Sequence, residues 1–147
     1  MTNPRRFTIF LALTFSIFSN IRCLDRPGKQ LYIDFVGQPL KNSTKLINSQ
    51  DRQDFGGGSA YLYFQTTPAE LNRILTQREY SKKIISKQSA IEVKNIKYSG
   101  EIPKWWTPSL LGDSCVVYEN FDDNIKRAEL IYCSFDSTVV YYIDNRW

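Results

Sequence analysis

The sequence predicts an α+β fold in which a small antiparallel sheet is covered by one main helix. Three β-rich runs near the C-terminus are separated by turn-forming residues, which is typical of an antiparallel meander. An alternating apolar run in the middle of the chain leads directly into a strong helix start, and one or two earlier strands of this kind would complete the sheet. Apolar residues make up 42% of the 147 residues, which is enough for one buried core and excludes global disorder.

The first 23 residues have the pattern of a secretory signal. Arg5 and Arg6 precede an uncharged, mostly apolar run over residues 7–18. This run is shorter than the roughly 20 apolar residues that a membrane-spanning helix needs. We therefore expect an exported protein, periplasmic or secreted, with residues 1–23 as a signal-type segment and a mature N-terminus between residues 17 and 24.

Association with a membrane is expected only through this N-terminal segment. One route is that the segment stays uncleaved. The other is acylation of Cys23, which is the less favoured route because Asn20-Ile21-Arg22 before the cysteine lacks the small residues that such processing prefers.

Residues 24–58 predict an N-terminal strand and a mobile loop. The apolar residues of 31–36 are flanked by Pro27-Gly28 and Gly37, which favours a short strand. The polar run from residue 41 ends in three consecutive glycines at 56–58, a composition typical of an exposed loop.

Residues 59–147 predict the compact α+β core, which starts with a strand and a helix. Apolar and polar residues alternate from Ser59 to Gln65, as in a half-buried strand. Thr67 is placed to cap a helix, with Pro68 at its first position and Glu70 completing a capping box. We expect the helix to end near residue 78 or 80 and to bury the side chains of Leu71, Ile74 and Leu75.

The segment after this helix predicts an extended piece and then a stiff loop. Ile91 and Val93, continued by Ile96 and Tyr98, mark the extended piece. Two prolines flank a tryptophan pair within residues 102–111, so this stretch is restricted in conformation, with a short helical turn expected over 108–111.

The C-terminal meander comprises strands over residues 115–121, 127–135 and 138–144. If Phe135 faces Thr138 across the last turn, the register pairs Tyr132 with Tyr141 and Leu130 with Ile143. That register predicts one buried face for the helix to cover, made of Val116, Tyr118, Leu130, Tyr132, Tyr141 and Ile143.

Charge argues against a nucleic-acid partner. The formal net charge is +4, but three of the basic residues, Arg5, Arg6 and Arg22, precede every acidic residue. Without them the domain holds 16 basic and 15 acidic residues and is almost neutral.

Two cysteines are expected to form a disulfide. If Cys23 leaves with the signal segment, Cys115 and Cys133 remain as an even pair on consecutive strands. Two cysteines that remain in the mature domain usually form a disulfide in an oxidising compartment.

Stretches of the core resemble a known group of proteins. Residues 61–70, the segment Pro103-Lys-Trp-Trp-Thr-Pro108 and the final Val-Tyr-Tyr-Ile-Asp run are similar to small exported bacterial proteins, many of them lipoproteins, of uncharacterised function. The resemblance covers about residues 59–144, and its most specific element is Pro-x-Trp-Trp-x-Pro. It implies an exported α+β domain and supplies no catalytic residues.

Few side chains of this sequence are suited to catalysis. The chain contains no histidine, which excludes Ser-His-Asp and Cys-His chemistry and the common zinc sites, and no cofactor or metal is expected. A carboxylate pair acting on envelope glycans is the enzymatic alternative, and its candidate residues are Asp113, Glu119, Asp122 and Asp123. A purely structural envelope component is a further alternative.

The favoured interpretation is a non-catalytic interaction protein. Adjacent residues of an extended loop point to opposite sides, so one of Trp105 and Trp106 is expected to enter the core and the other to stay near the surface beside Lys104. These three residues form the candidate binding site. The expected partner is another protein, with an envelope glycan as the alternative.

Overall fold

A computed structural model of the protein describes residues 26–54, 57–92 and 102–147. The predicted signal segment and Cys23 lie outside these residues. The described chain forms one six-stranded antiparallel sheet in the order β1-β2-β6-β5-β4-β3. The strands are β1 Lys45–Asp54, β2 Gly57–Gln65, β3 Ser81–Ser86, β4 Ser114–Asp122, β5 Arg127–Cys133 and β6 Val139–Arg146.

Short helices accompany the sheet in place of the single main helix that the sequence predicts. They are α1 Gly28–Val36, α2 Pro68–Leu75, α3 Lys87–Glu92 and a 3₁₀ helix Pro108–Leu111. The mixed, antiparallel architecture is confirmed, and the 3₁₀ helix lies where the sequence predicts a helical turn. Coverage by one main helix is not confirmed, because the longest of these helices, α1, has 9 residues.

The N-terminal strand prediction is wrong, because residues 28–36 form α1. Leu31, Tyr32, Phe35 and Val36 are buried, and their spacing places them on one side of a helix. A short apolar run does not distinguish a buried helix from a strand. Gly37 ends the helix in the left-handed conformation (φ 72°), and its N–H donates to the Ile33 carbonyl at 3.0 Å.

The mobile-loop prediction is also wrong, since most of that region forms the β1–β2 hairpin. β1 lies at the edge of the sheet and carries polar side chains, so its sequence lacks the apolar alternation of a strand. Gly57 belongs to β2, where a Cβ atom would lie 2.3 Å from the Arg146 carbonyl oxygen. Close approach between backbones therefore explains this glycine better than flexibility does.

Helix α2 begins as predicted. The N–H of Glu70 donates to the Thr67 side chain at 3.3 Å, and Pro68 occupies the first turn. The Glu70 carboxylate pairs with Arg73 rather than returning to the cap, so the capping box is incomplete. The helix ends at Leu75, earlier than expected.

The region that follows differs from its prediction. β3 was not expected, and Ile91 falls in α3 rather than in an extended segment. Val93, Ile96 and Tyr98 lie outside the described residues.

The sheet buries side chains on both faces. The helix face, under α1 and α2, contains buried residues from four strands and both helices: Leu31, Tyr32, Phe35, Val36, Ala60, Leu62, Phe64, Leu71, Ile74, Val116, Ile131, Cys133, Val140 and Tyr142. The opposite tryptophan face contains Tyr61, Ala90, Trp106, Cys115, Val117, Leu130, Tyr132, Tyr141 and Ile143.

The meander register is confirmed for its last two strands and wrong for β4. Tyr132 pairs with Tyr141, and Leu130 pairs with Ile143. Val117, rather than Val116, lies on the same face as Tyr132, directly opposite it. Val116 and Tyr118 therefore point to the helix face, away from Leu130 and Tyr132. Helix α2 consequently covers the other side of the sheet from the one predicted.

Candidate functional site

The tryptophan loop, residues 102–107, lies on the tryptophan face. Trp106 is only 4% exposed, and its ring meets Tyr61, Tyr141 and Tyr132 edge-on at centroid distances of 5.2, 5.5 and 6.0 Å. The backbone N–H of Trp106 donates to the Pro103 carbonyl at 2.9 Å, which closes a turn over residues 103–106. Edge-to-face packing of buried aromatic rings is a favourable geometry, so Trp106 anchors the loop.

Trp105 occupies a different environment from Trp106. It is half-buried, and its ring lies 6.2 Å from that of Trp106 at 61°. Lys104 is exposed, and Leu110 in the following 3₁₀ helix is 74% exposed. The structure thus places the three predicted binding residues together, with one ring inside and one at the surface.

A pair of stacked tyrosines continues this aromatic surface. Tyr63 and Tyr141 are neighbours across β2 and β6, with ring centroids 4.4 Å apart and planes 5° from parallel. The hydroxyls of Tyr141 and Thr107 are 3.2 Å apart, which links the sheet to the loop. Burial raises the pKa of Tyr141 above its ordinary value of 10.0, so this hydroxyl, protonated at neutral pH in any tyrosine, ionises only at a still more alkaline pH.

The structure does not support the predicted disulfide. Both cysteines are buried and free, with Cys115 on the tryptophan face and Cys133 on the helix face. Cys133 lies opposite Val116, so the residue before Val116 must point away from it. The register expected from the sequence, which misplaced Val116 by one residue, would instead have put both cysteines on one face.

The acidic residues that the sequence offered for catalysis are not gathered into a site. Asp113 and Asp123 are exposed, and Glu119 pairs with Lys83 at 2.5 Å. Asp122 accepts the N–H of Asn124 at 3.0 Å and so stabilises the β4–β5 turn.

A buried ionic cluster on the helix face was not predicted. Glu129 and Asp144 are opposite each other on β5 and β6, and both are 0% exposed. Arg127 pairs with both carboxylates; its Nε donates to Asp144 Oδ2 at 2.6 Å. Arg78 also pairs with Glu129, and Arg146 Nε lies 3.0 Å from Asp144 Oδ1.

Two tyrosine hydroxyls complete the cluster. Tyr80 donates to Glu129 at 2.9 Å, and the hydroxyl of Tyr142 lies 2.8 Å from the same carboxylate and 3.0 Å from the Phe35 carbonyl. Burial raises the pKa of Tyr142 well above its ordinary value. The Leu130–Ile143 pairing predicted from the sequence already implied that Glu129 lies opposite Asp144. Two acidic residues paired across neighbouring strands were therefore a sequence signal for this cluster.

This cluster does not have the geometry of a general acid–base pair. Both carboxylates are inaccessible, and guanidinium groups occupy their oxygens, so a substrate does not reach them. Residues 26–54, 57–92 and 102–147 contain no group of three or more side chains suited to holding a metal ion. Within the same residues, no helix is long and apolar enough to span a membrane.

Comparison with known proteins yields no relative: no family model, curated protein or solved structure matches this chain.

Proposed function

We propose that this chain is an exported, non-catalytic binding protein that holds a protein partner through Trp105. The observation that carries the proposal is the unequal burial of the tryptophan pair: Trp106 is 4% exposed, whereas Trp105 is half-buried against it. A surface ring fixed by a buried one loses little conformational freedom when it enters a partner's pocket.

The surroundings of Trp105 suit a protein interface. Lys104 and Leu110 are exposed nearby in sequence, which adds a cation and an aliphatic side chain to the aromatic ring. Interfaces concentrate their binding energy in a few such anchors, with tryptophan among the most frequent. An envelope glycan stacking on the same ring is the alternative ligand. A hydrolase is less well supported than either, because its candidate carboxylates, Asp113, Glu119, Asp122 and Asp123, are not gathered into a site.

The test is affinity capture from the native envelope or secreted fraction with the wild-type protein and the Trp105→Ala variant, read by mass spectrometry. We expect Trp105→Ala to retain its fold and to lose at least one partner that the wild type captures. Trp147→Ala is the matched control, because Trp147 is also a partly exposed tryptophan (49%) but belongs to the C-terminal end of the chain.

Stability measurements separate binding from folding. Trp106→Ala should lower the free energy of unfolding by about 3–5 kcal/mol, because it empties a buried aromatic site. Trp105→Ala should have a clearly smaller effect in the same urea titration. Equal destabilisation by both changes, or identical capture by wild type and Trp105→Ala, would contradict the proposal.

A further inference from the structure

A cleft of about 280 Å³ lies on the helix-face side, between α1 and the ends of β1, β2 and β6. Phe35 lies in its wall, with the guanidinium carbons of Arg26 and Arg146 at 5.2 and 4.8 Å from the ring centroid. Both guanidinium groups are therefore held against one aromatic ring, which limits their freedom of rotation. The cleft is lined by Arg26, Asp34, Phe35, Asp51, Gln53, Gly57, Gly58 and Arg146.

The two ends of this cleft carry opposite charge. At one end, Arg26 pairs with both Asp34 and Asp51, which leaves one negative charge in excess. At the other end, Arg146 belongs to the buried ionic cluster, where three guanidinium groups meet two carboxylates and leave one positive charge in excess.

The excess positive charge is accessible at Arg146. Its Nε donates to Asp144, whereas its two terminal nitrogens make no hydrogen bond to any described residue. The Arg146 side chain is 48% exposed. A terminal guanidinium edge of this kind binds a carboxylate through two parallel hydrogen bonds.

The negative end retains acceptor capacity. Asp34 receives Arg26 on one oxygen at 3.0 Å and Gln30 on the other at 2.7 Å, and each carboxylate oxygen accepts more than one hydrogen bond. Its side chain is 31% exposed, so an ammonium group reaches it from solvent.

We propose that this cleft binds a small zwitterion of the amino-acid type, with its carboxylate on Arg146 and its ammonium group toward Asp34 and Asp51. The volume lies below the range of about 300–1,000 Å³ that is usual for drug-sized ligands, which favours a ligand of this size. A simple anion or a simple cation would match only one end of the cleft.

Three probes of similar size test this assignment: L-alanine, propionate, which lacks the amine, and ethylamine, which lacks the carboxylate. Their affinities for the purified protein are measured by titration calorimetry at constant ionic strength. We expect L-alanine to bind about tenfold or more tightly than either single-charge probe, because it makes both sets of charge-assisted contacts. Equal binding of propionate and L-alanine, or no binding of L-alanine, would overturn the proposal.

Variants locate the site. Arg146→Gln should remove the advantage of L-alanine over ethylamine, and Asp34→Asn should reduce its advantage over propionate. Arg146→Lys keeps a charge beside Asp144 and serves as a second variant in case Arg146→Gln does not fold. Lys45→Gln, at an exposed cation outside the cleft, is the control.

This inference is independent of the tryptophan loop. Trp105→Ala should leave L-alanine binding unchanged, so failure at one site is distinguishable from failure at the other. Unchanged L-alanine binding in a folded Arg146→Gln variant would place the ligand elsewhere and refute the assignment.

Discussion

At the scale of single residues, neighbours in sequence have unlike roles. Trp105 and Trp106 differ in burial because Trp105 lies within the turn that the Trp106 N–H closes on the Pro103 carbonyl. Cys115 and Val116 lie on different faces of β4 for another reason: a strand sends successive side chains to opposite sides. An error of one position in the strand register therefore assigns each side chain to the wrong face of the sheet and to the wrong neighbours.

The thiols give a prediction at this scale. Burial raises the pKa of both cysteines, that of Cys133 to about 11, so neither forms an appreciable amount of thiolate near neutral pH. We expect a thiol reagent at pH 8 to modify neither residue in the native protein and both after denaturation, in protein purified without reductant. Denatured Cys115→Ala should then show one reactive thiol fewer than the wild type, with any contribution from Cys23 the same in both. Failure to detect the two thiols after denaturation would indicate that they are oxidised.

At the scale of elements, the buried carboxylate of Glu70 links helix α2 to the segment before β1. Glu70 is 4% exposed, pairs with Arg73, and lies 3.6 Å from Lys41 before β1. Its hydrogen bond with Arg73 lowers the pKa of Glu70 below the ordinary value of 4.5.

This shift predicts how stability depends on pH. A depressed folded-state pKa contributes stability that is present above about pH 4.5 and is lost as the pH falls through the folded-state value. We expect the unfolding midpoint of wild type to exceed that of Glu70→Gln at pH 7, and the gap to narrow as the pH falls below 4.5. Urea titrations across this range measure the gap; Glu79→Gln serves as a control, and a gap that stays constant with pH would contradict the assignment.

At the scale of the whole molecule, the buried ionic cluster joins β5, β6 and the segment that follows α2. Arg127 pairs with both buried carboxylates, so its removal leaves charges without their main partner. We expect Arg127→Met to lower the free energy of unfolding by about 3–5 kcal/mol. Lys45→Met, at an exposed position on β1, should change it little; equal small effects in urea titrations would show that the cluster contributes nothing to stability.

Sequence patterns predicted the parts of the fold that depend on local chemistry. The meander turns, the Thr67 cap and the 3₁₀ helix at Pro108 each follow from residues adjacent in the chain. Helix α1 and strand β1 depend instead on tertiary packing, since one is a short apolar run and the other is a polar edge strand. For the candidate site, the proline-flanked tryptophan pair was visible in sequence, whereas the cleft unites Arg26, Asp51 and Arg146 from distant segments.

The position of the final strand has a consequence for how the chain folds. β6 lies between β2 and β5, so it joins the N-terminal hairpin to the rest of the sheet. The bond between Ser59 and Asn145 closes a separation of 86 residues. Until β6 has been synthesised, the β1–β2 hairpin has no strand through which to pair with β5, and formation of such long-range strand pairs is slow. The sheet is therefore completed only by the last of its described strands to be synthesised.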